Sequence, residues 1–201
     1  MPQARRSRSK EGGDVALVLG GGSGLGRAVA LRLAANETPV VVQGPDERAV
    51  ARVVGEITCG GGAARHVTGE LVQLRHVEAA IERAVEAFGA LRYVVLTTFD
   101  ADLARRVTEA LRGPLEKGGA GGRLVLALDF GPPETRASVT ELVSELAARL
   151  EPLGATANAV LWRDRGEDDP ERAADVLLFL CSEAADGVSG EVIAVRGQAH
   201  P

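Results

Sequence analysis

Val15-Ala16-Leu17-Val18-Leu19-Gly20-Gly21-Gly22-Ser23-Gly24-Leu25-Gly26-Arg27-Ala28-Val29-Ala30-Leu31-Arg32-Leu33-Ala34-Ala35 decides how the chain reads. Five uninterrupted apolar residues are the mark of a strand buried on both faces of a parallel sheet. The glycines that follow permit a tight turn, and from Gly24 the pattern becomes helical, ending at Ala35. A strand, a glycine turn and a helix in that order admit two readings. Gly20–Gly26 either lets the main chain approach a phosphate, with the helix N-terminus offering free N–H groups to the anion, or lets helix and strand pack closely.

Outward from that stretch the alternation repeats. Further strands are expected over Val40–Val42, Arg65–Val67, Tyr93–Thr97, Leu124–Leu128, Thr156–Leu161 and Val192–Val195. Helices are expected over Asp46–Thr58, Leu74–Phe88, Asp102–Glu116, Pro133–Leu150 and Pro170–Leu180. Strict alternation implies an α/β fold: one doubly wound parallel sheet of about seven strands, with helices on both faces and right-handed crossovers. Asp169 before Pro170 reads as an N-cap, and Gly89 and Gly154 as helix stops. Val139, Leu142, Val143, Leu146 and Leu150 recur at three and four, an apolar stripe with further apolar residues beside it.

Composition narrows the function classes. The chain has 201 residues, 45% hydrophobic and 25% charged, enough for one sizeable core. No apolar run is long enough for a membrane span, so no membrane partner is expected. Residues 1–11 hold Arg5, Arg6, Arg8 and Lys10 against Glu11, a net +3, which leaves −8 on residues 12–201 out of a formal −5. An acidic body with 3% aromatics argues against a nucleic-acid reader, so no nucleic-acid partner is expected. Residues 1–13 read as a disordered basic tail and 14–201 as one domain. Cys59 and Cys181 are too few for a disulfide framework, which makes the cytoplasm the expected compartment. With three histidines widely spaced, no metal site is expected.

The spacing Gly20-x-x-x-Gly24-x-Gly26 resembles that of the short-chain dehydrogenase/reductase family. Gly61-Gly62 through Val67 to Glu70-Leu71, then His76-Val77-Glu78 and Ala87-Phe88-Gly89, is similar to that family's third strand and following helix. Gly122-Arg123-Leu124-Val125 resembles its fifth strand, and Ser144–Ala147 with Pro152, Gly154 and Asn158-Ala159-Val160 the helix and strand after its active site. Leu180, Ser182, Gly190, Val195 and Gly197 complete the resemblance, which covers about residues 14–197. It implies a Rossmann-type domain binding NAD or NADP. Gly20, Ser23, Gly24, Leu25 and Gly26 would hold the cofactor, with Glu70 at the adenine amino group and the Leu71 backbone beside it. The resemblance extends to 3-oxoacyl-carrier-protein reductases.

The family's catalytic pattern departs at specific places. Its tyrosine, four residues before a lysine, falls here at Gly131, and the lysine at Thr135; the serine falls near Leu128 or Asp129. The sole tyrosine is Tyr93, on a core strand, and the lysines are Lys10 and Lys117. The asparagine-rich segment is Leu96-Thr97-Thr98-Phe99, and the Pro-Gly after the sixth strand is Trp162-Arg163. Only 22 residues separate Phe99 from Gly122, and seven, Arg163–Asp169, stand in place of the substrate-covering loop. No catalytic residue is therefore assigned. The nicotinamide side is degraded and the adenine side better kept.

Several residues keep two readings. Asp46 stands near the ribose-diol position, which falls at Gly44, but also fits a helix cap; Arg48 suits either a 2′-phosphate or solvent. Trp162 either fills space left by the nicotinamide or packs at an edge. Asp129 ends the fifth strand, where such sheets place ligands, yet has no partner in sequence to set its pKa. The expected role is a non-catalytic structural or regulatory subunit, the alternative a true oxidoreductase with a divergent active site. As a subunit it would form a homo-oligomer, or a hetero-oligomer with an active reductase. In the family the helices matching Asp102–Glu116 and Pro133–Leu150 pair across a dimer interface, and the stripe on the second is expected to leave apolar surface for that purpose.

Overall fold

The computed structural model describes residues 14–97, 100–119, 121–129, 133–162 and 170–195. The basic tail, the Asp169 cap, Gly131 and the Arg163–Asp169 segment lie outside the described residues. Seven strands form one sheet: β1 (Val15–Leu19), β2 (Val40–Gly44), β3 (Ala64–Thr68), β4 (Leu91–Leu96), β5 (Arg123–Asp129), β6 (Thr156–Trp162) and β7 (Val192–Ala194). Their spatial order is β3-β2-β1-β4-β5-β6-β7, with every pairing parallel. The reversal of order between β1 and β4 opens a crevice at the strands' C-terminal ends.

Six α-helices make the crossovers: α1 (Gly24–Ala35), α2 (Glu47–Cys59), α3 (Leu74–Phe88), α4 (Ala101–Gly118), α5 (Pro133–Leu150) and α6 (Pro170–Cys181). α1, α2 and α6 cover one face and α3, α4 and α5 the other. β1 shows why its residues read as one continuous apolar run: Ala16 and Val18 enter the first layer, Val15, Leu17 and Leu19 the second, and all five are buried. The observed elements differ from the sequence reading by one or two residues at some ends, where helices and strands fray into their caps.

One expectation is corrected. Val139, Leu142, Val143, Leu146 and Leu150 are all buried against the sheet, so the α5 stripe is consumed by the chain's own core. The large apolar side chains that stay exposed among the described residues are Val72, Val85 and Phe179, and none lies on α5.

Polar groups inside the fold are tied to its closing segments. Asn158, on β6, donates from Nδ2 to the Val188 carbonyl at 2.9 Å and accepts from Glu191 N–H at 3.1 Å, which fixes the approach to β7. Arg123, 2% exposed, pairs with Asp186 just beyond α6. No helix among the described residues is long and apolar enough to cross a membrane.

Candidate dinucleotide site at the C-terminal ends of the strands

β1 hands the chain to the glycine loop at the switch point. Gly20 N–H and Gly21 N–H donate to the Gln43 carbonyl at 2.9 and 2.8 Å, so the end of β2 holds the start of the loop. Gly20 has φ +88°, a conformation that favours glycine. A Cβ on Gly26 would lie 2.3 Å from the Gly20 carbonyl oxygen, so the third glycine serves close helix–strand packing. Gly24 is different: its φ is +51°, and nothing lies within 4 Å of where its Cβ would be. Ser23 and Gly24 face solvent, while Leu25 and Gly26 are buried. The two readings of the loop therefore divide by residue, Gly26 for packing and Ser23–Gly24 for an open cradle.

The N-terminus of α1 is left free for an anion. Arg27 N–H to the Ser23 carbonyl, 3.1 Å, is the helix's opening bond, so the N–H groups of Gly24, Leu25 and Gly26 precede the ladder. The Ser23 hydroxyl makes no capping bond, and the first turn carries no carboxylate. Negative charge is favoured there by the helix dipole.

At the other end of the crevice, two strands away and so about 10 Å across the sheet, the chain leaves β3 through Gly69, Glu70 and Leu71. The Glu70 side chain is exposed. Its carbonyl accepts from Gln73 N–H at 3.1 Å and stands 3.2 Å from His76 Nδ1, while Leu71 packs partly buried on the core. A Cβ on Gly69 would strike the His76 ring at 2.5 Å, so that ring closes the loop from below.

Asp46 is settled as a cap. Its Oδ1 accepts from Arg48 N–H at 2.9 Å and Ala49 N–H at 3.1 Å, which commits the carboxylate to α2. Gly44, at the ribose-diol position, brings no charge. Asp129 pairs with Trp162 in the β5–β6 register, and its side chain lies outside the described residues. Trp162 is 8% exposed and sits in the apolar layer with Ala173, Ala174 and Leu177, so it is a core residue of the α6 side and not an edge one.

Among the described residues, the tyrosine and the lysine stand away from the glycine loop. Tyr93 pairs with Ala16 and Arg123, three residues below the end of β4. Its hydroxyl is pushed above its ordinary pKa by burial and the nearby Asp14 carboxylate, the opposite of what a proton-transferring phenol needs. Lys117, in the last turn of α4, lines a groove of about 590 Å³ between the C-terminal halves of α3 and α4, beside the start of β4. Neither group is near the glycine loop.

Two residues that sequence reasoning passed over hold the cradle together. Thr97, noted only as a departure from the asparagine-rich pattern, donates from its hydroxyl to the Leu19 carbonyl at 2.9 Å. Gln43 is fully buried; its Nε2 donates to the Gly69 carbonyl, and its Oε1 lies 3.3 Å from Gly20 N. The one available signal was a single amide side chain in the otherwise apolar Val40-Val41-Val42-Gln43 run.

Strand order, glycine loop and uncapped α1 together define a doubly wound α/β protein of the dinucleotide-binding kind. A family model described as short chain dehydrogenase matches residues 14–98. The mouse (Mus musculus) dehydrogenase/reductase SDR family member 4 is 28% identical over 91% of this chain and 86% of its own. That alignment runs over 239 positions against the 201 residues present here, so the mouse protein carries segments this chain lacks. Cyclohexanol dehydrogenase of Acinetobacter sp. (strain SE19) is 40% identical over 41% of this chain, a match that spans a third (33%) of the relative. Among solved structures, a 7α-hydroxysteroid dehydrogenase complexed with NADH and 7-oxo glycochenodeoxycholic acid superposes with a TM-score of 0.82 over 92% of this chain and 93% of that one, at 19% identity. Over residues 14–98 the chain is similar to the short-chain dehydrogenases, and over nearly its whole length it shares the fold of the superposed dehydrogenase.

Proposed function

We propose that the chain binds a nicotinamide dinucleotide across the β3–β1 crevice and performs no hydride transfer of its own, acting as a structural or regulatory subunit. The observation that carries this reading is the separation of cradle from relay. The glycine loop and the free N–H groups of α1 are at the C-terminal ends of the strands, whereas Tyr93 and Lys117 lie toward the opposite end.

The residues present suit the cofactor. The N–H groups of Gly24, Leu25 and Gly26 would meet the pyrophosphate, and Gly24 offers the open space such an approach needs. The exposed Glu70 carboxylate would accept from the adenine amino group, with the Leu71 backbone alongside. A bound nicotinamide supplies or accepts hydride; this chain's part is to hold and orient the dinucleotide. With Gly44 at the diol position and Asp46 Oδ1 engaged in its cap, no side chain there is dedicated to the ribose diol, so the proposal covers NADH and NADPH alike. Assembly as a homo-oligomer or with an active reductase belongs to this proposal, and its contact surface is not the α5 stripe.

The second reading, an NAD(P)-dependent oxidoreductase with a divergent proton donor, draws on the names of the relatives, which are dehydrogenases and reductases. Titration of the full chain with NADH and NADPH, followed by Trp162 fluorescence, separates them when paired with carbonyl substrates. Saturable binding without turnover is the expected result. Turnover supports the second reading, and no binding at millimolar cofactor removes both.

A further inference from the structure

We infer that Gln43 is a positioning residue that couples the pyrophosphate cradle to the adenine-side loop, so that the two halves of a dinucleotide bind as one. This rests on the dinucleotide reading above. Gln43 is the penultimate residue of β2, the strand between β1 and β3, and it is 0% exposed. Its Oε1 lies 3.3 Å from Gly20 N, sharing that N–H with Gln43's own carbonyl, while Nε2 donates to the Gly69 carbonyl. The amide orientation is dictated by its partners, since Gly20 presents only a donor and Gly69 only an acceptor here.

Glutamine meets both demands without charge and without taking up a proton. An ionised glutamate accepts at both ends and would set a buried carboxylate against the Gly69 carbonyl; a leucine or methionine leaves both groups without their side-chain partner. Main-chain bonds run the same way: Gly21 N–H to the Gln43 carbonyl at 2.8 Å and Gly69 N–H to the Gly44 carbonyl at 3.0 Å. The Gln43 side chain is the element that reaches from one loop to the other. A ligand that contacts both loops gains from their fixed spacing, because the ordering is done before it arrives. A ligand that contacts the cradle alone gains little.

The test compares ADP, which would span both loops, with inorganic pyrophosphate, which would occupy only the cradle, on the wild-type chain, Gln43→Leu and Gln43→Glu. Thermal melts establish that each variant is folded. Coupling predicts that Gln43→Leu weakens ADP by at least about fivefold while pyrophosphate changes by less than about twofold, with Gln43→Glu losing more than Gln43→Leu. Equal losses for both ligands, or an unchanged ADP affinity in folded Gln43→Leu, overturn the inference. Should the variants fail to fold, amide exchange on the wild-type chain decides. Pyrophosphate then slows exchange at Gly69–Gln73 as well as at Gly20–Gly26, and a change confined to Gly20–Gly26 overturns the coupling. If the wild-type chain binds neither ligand, the dinucleotide reading fails and the inference with it, an outcome distinct from binding that ignores Gln43.

Discussion

Thr97 Oγ1 donates to the Leu19 carbonyl at 2.9 Å and stands where a Cβ on Gly20 would be, 1.9 Å away. The hydroxyl satisfies the end of β1 and forms the floor of the glycine loop. A small hydroxyl side chain thus supports the cradle from beneath.

Gly20→Ala is expected to cost about 1–3 kcal/mol from that clash, with a further penalty for a side chain at φ +88°. Thr97→Ala removes the nearer atom, leaving the Thr97 Cβ 3.3 Å from the new methyl, so the double variant is less damaged than the sum of the two singles. A denaturant double-mutant cycle reads the coupling; strict additivity would refute this contact.

The Asp46 cap carries a prediction about specificity. Its carboxylate is engaged by Arg48 N–H and Ala49 N–H, so Asp46→Ala is expected to cost about 1 kcal/mol of stability. Asp46→Asn, which keeps the cap, is expected to leave the ratio of NADH to NADPH affinity unchanged. A shift of several fold toward NADPH in Asp46→Asn would return the residue to the ribose.

Much of this was legible in the chain itself. The continuous runs of β1, β4 and β5 announced strands buried on both faces, and Gly20–Gly26 between β1 and α1 announced the switch-point loop, because both signals are local and periodic. The α5 stripe misled: an apolar excess in a helix does not reveal how wide a strip the sheet will cover. Gln43 and Thr97 could not be assigned roles, since their partners Gly69 and Leu19 are 26 and 78 residues away and such hydrogen bonds leave no pattern in sequence.

Arg123 and Asp186 form an ion pair of unequal burial, the arginine side chain 3% exposed and the aspartate 74%. Removing the exposed partner strands a buried charge, so Asp186→Ala is expected to destabilise by about 3 kcal/mol, whereas Arg123→Met, which removes the buried charge altogether, costs far less. Equilibrium unfolding of the two variants gives the comparison. Equal losses would mean that the guanidinium is held by packing and not by its counter-ion.

Alkaline pH provides a test of the α6 layer. Burial pushes the Cys181 thiol up to about 12, with Arg123 opposing, and the Tyr93 hydroxyl is raised by burial and by Asp14. Both groups hold their protons more tightly when folded, so the unfolded chain ionises first. Their contribution is complete below the thiol's ordinary value of 9.0 and is lost as pH rises toward about 12. Stability is expected to decline above about pH 9, by at most about 1.4 kcal/mol per pH unit for each group, and Cys181→Val should flatten the decline. Thiol labelling offers a parallel check: the exposed Cys59 reacts in the native chain and Cys181 only on unfolding.

Fluorescence of the reduced cofactor, followed while NADPH or NADH is titrated into the full chain and then held with a panel of carbonyl compounds, reads both halves of the proposal in one trace. A saturable rise that afterwards stays constant is the predicted result, since the cradle would hold the dinucleotide while Tyr93 and Lys117, the phenol and the lysine ammonium among the described residues, stand away from it. A signal that never rises at millimolar cofactor, or one that rises and then decays as a carbonyl is reduced, would contradict the account.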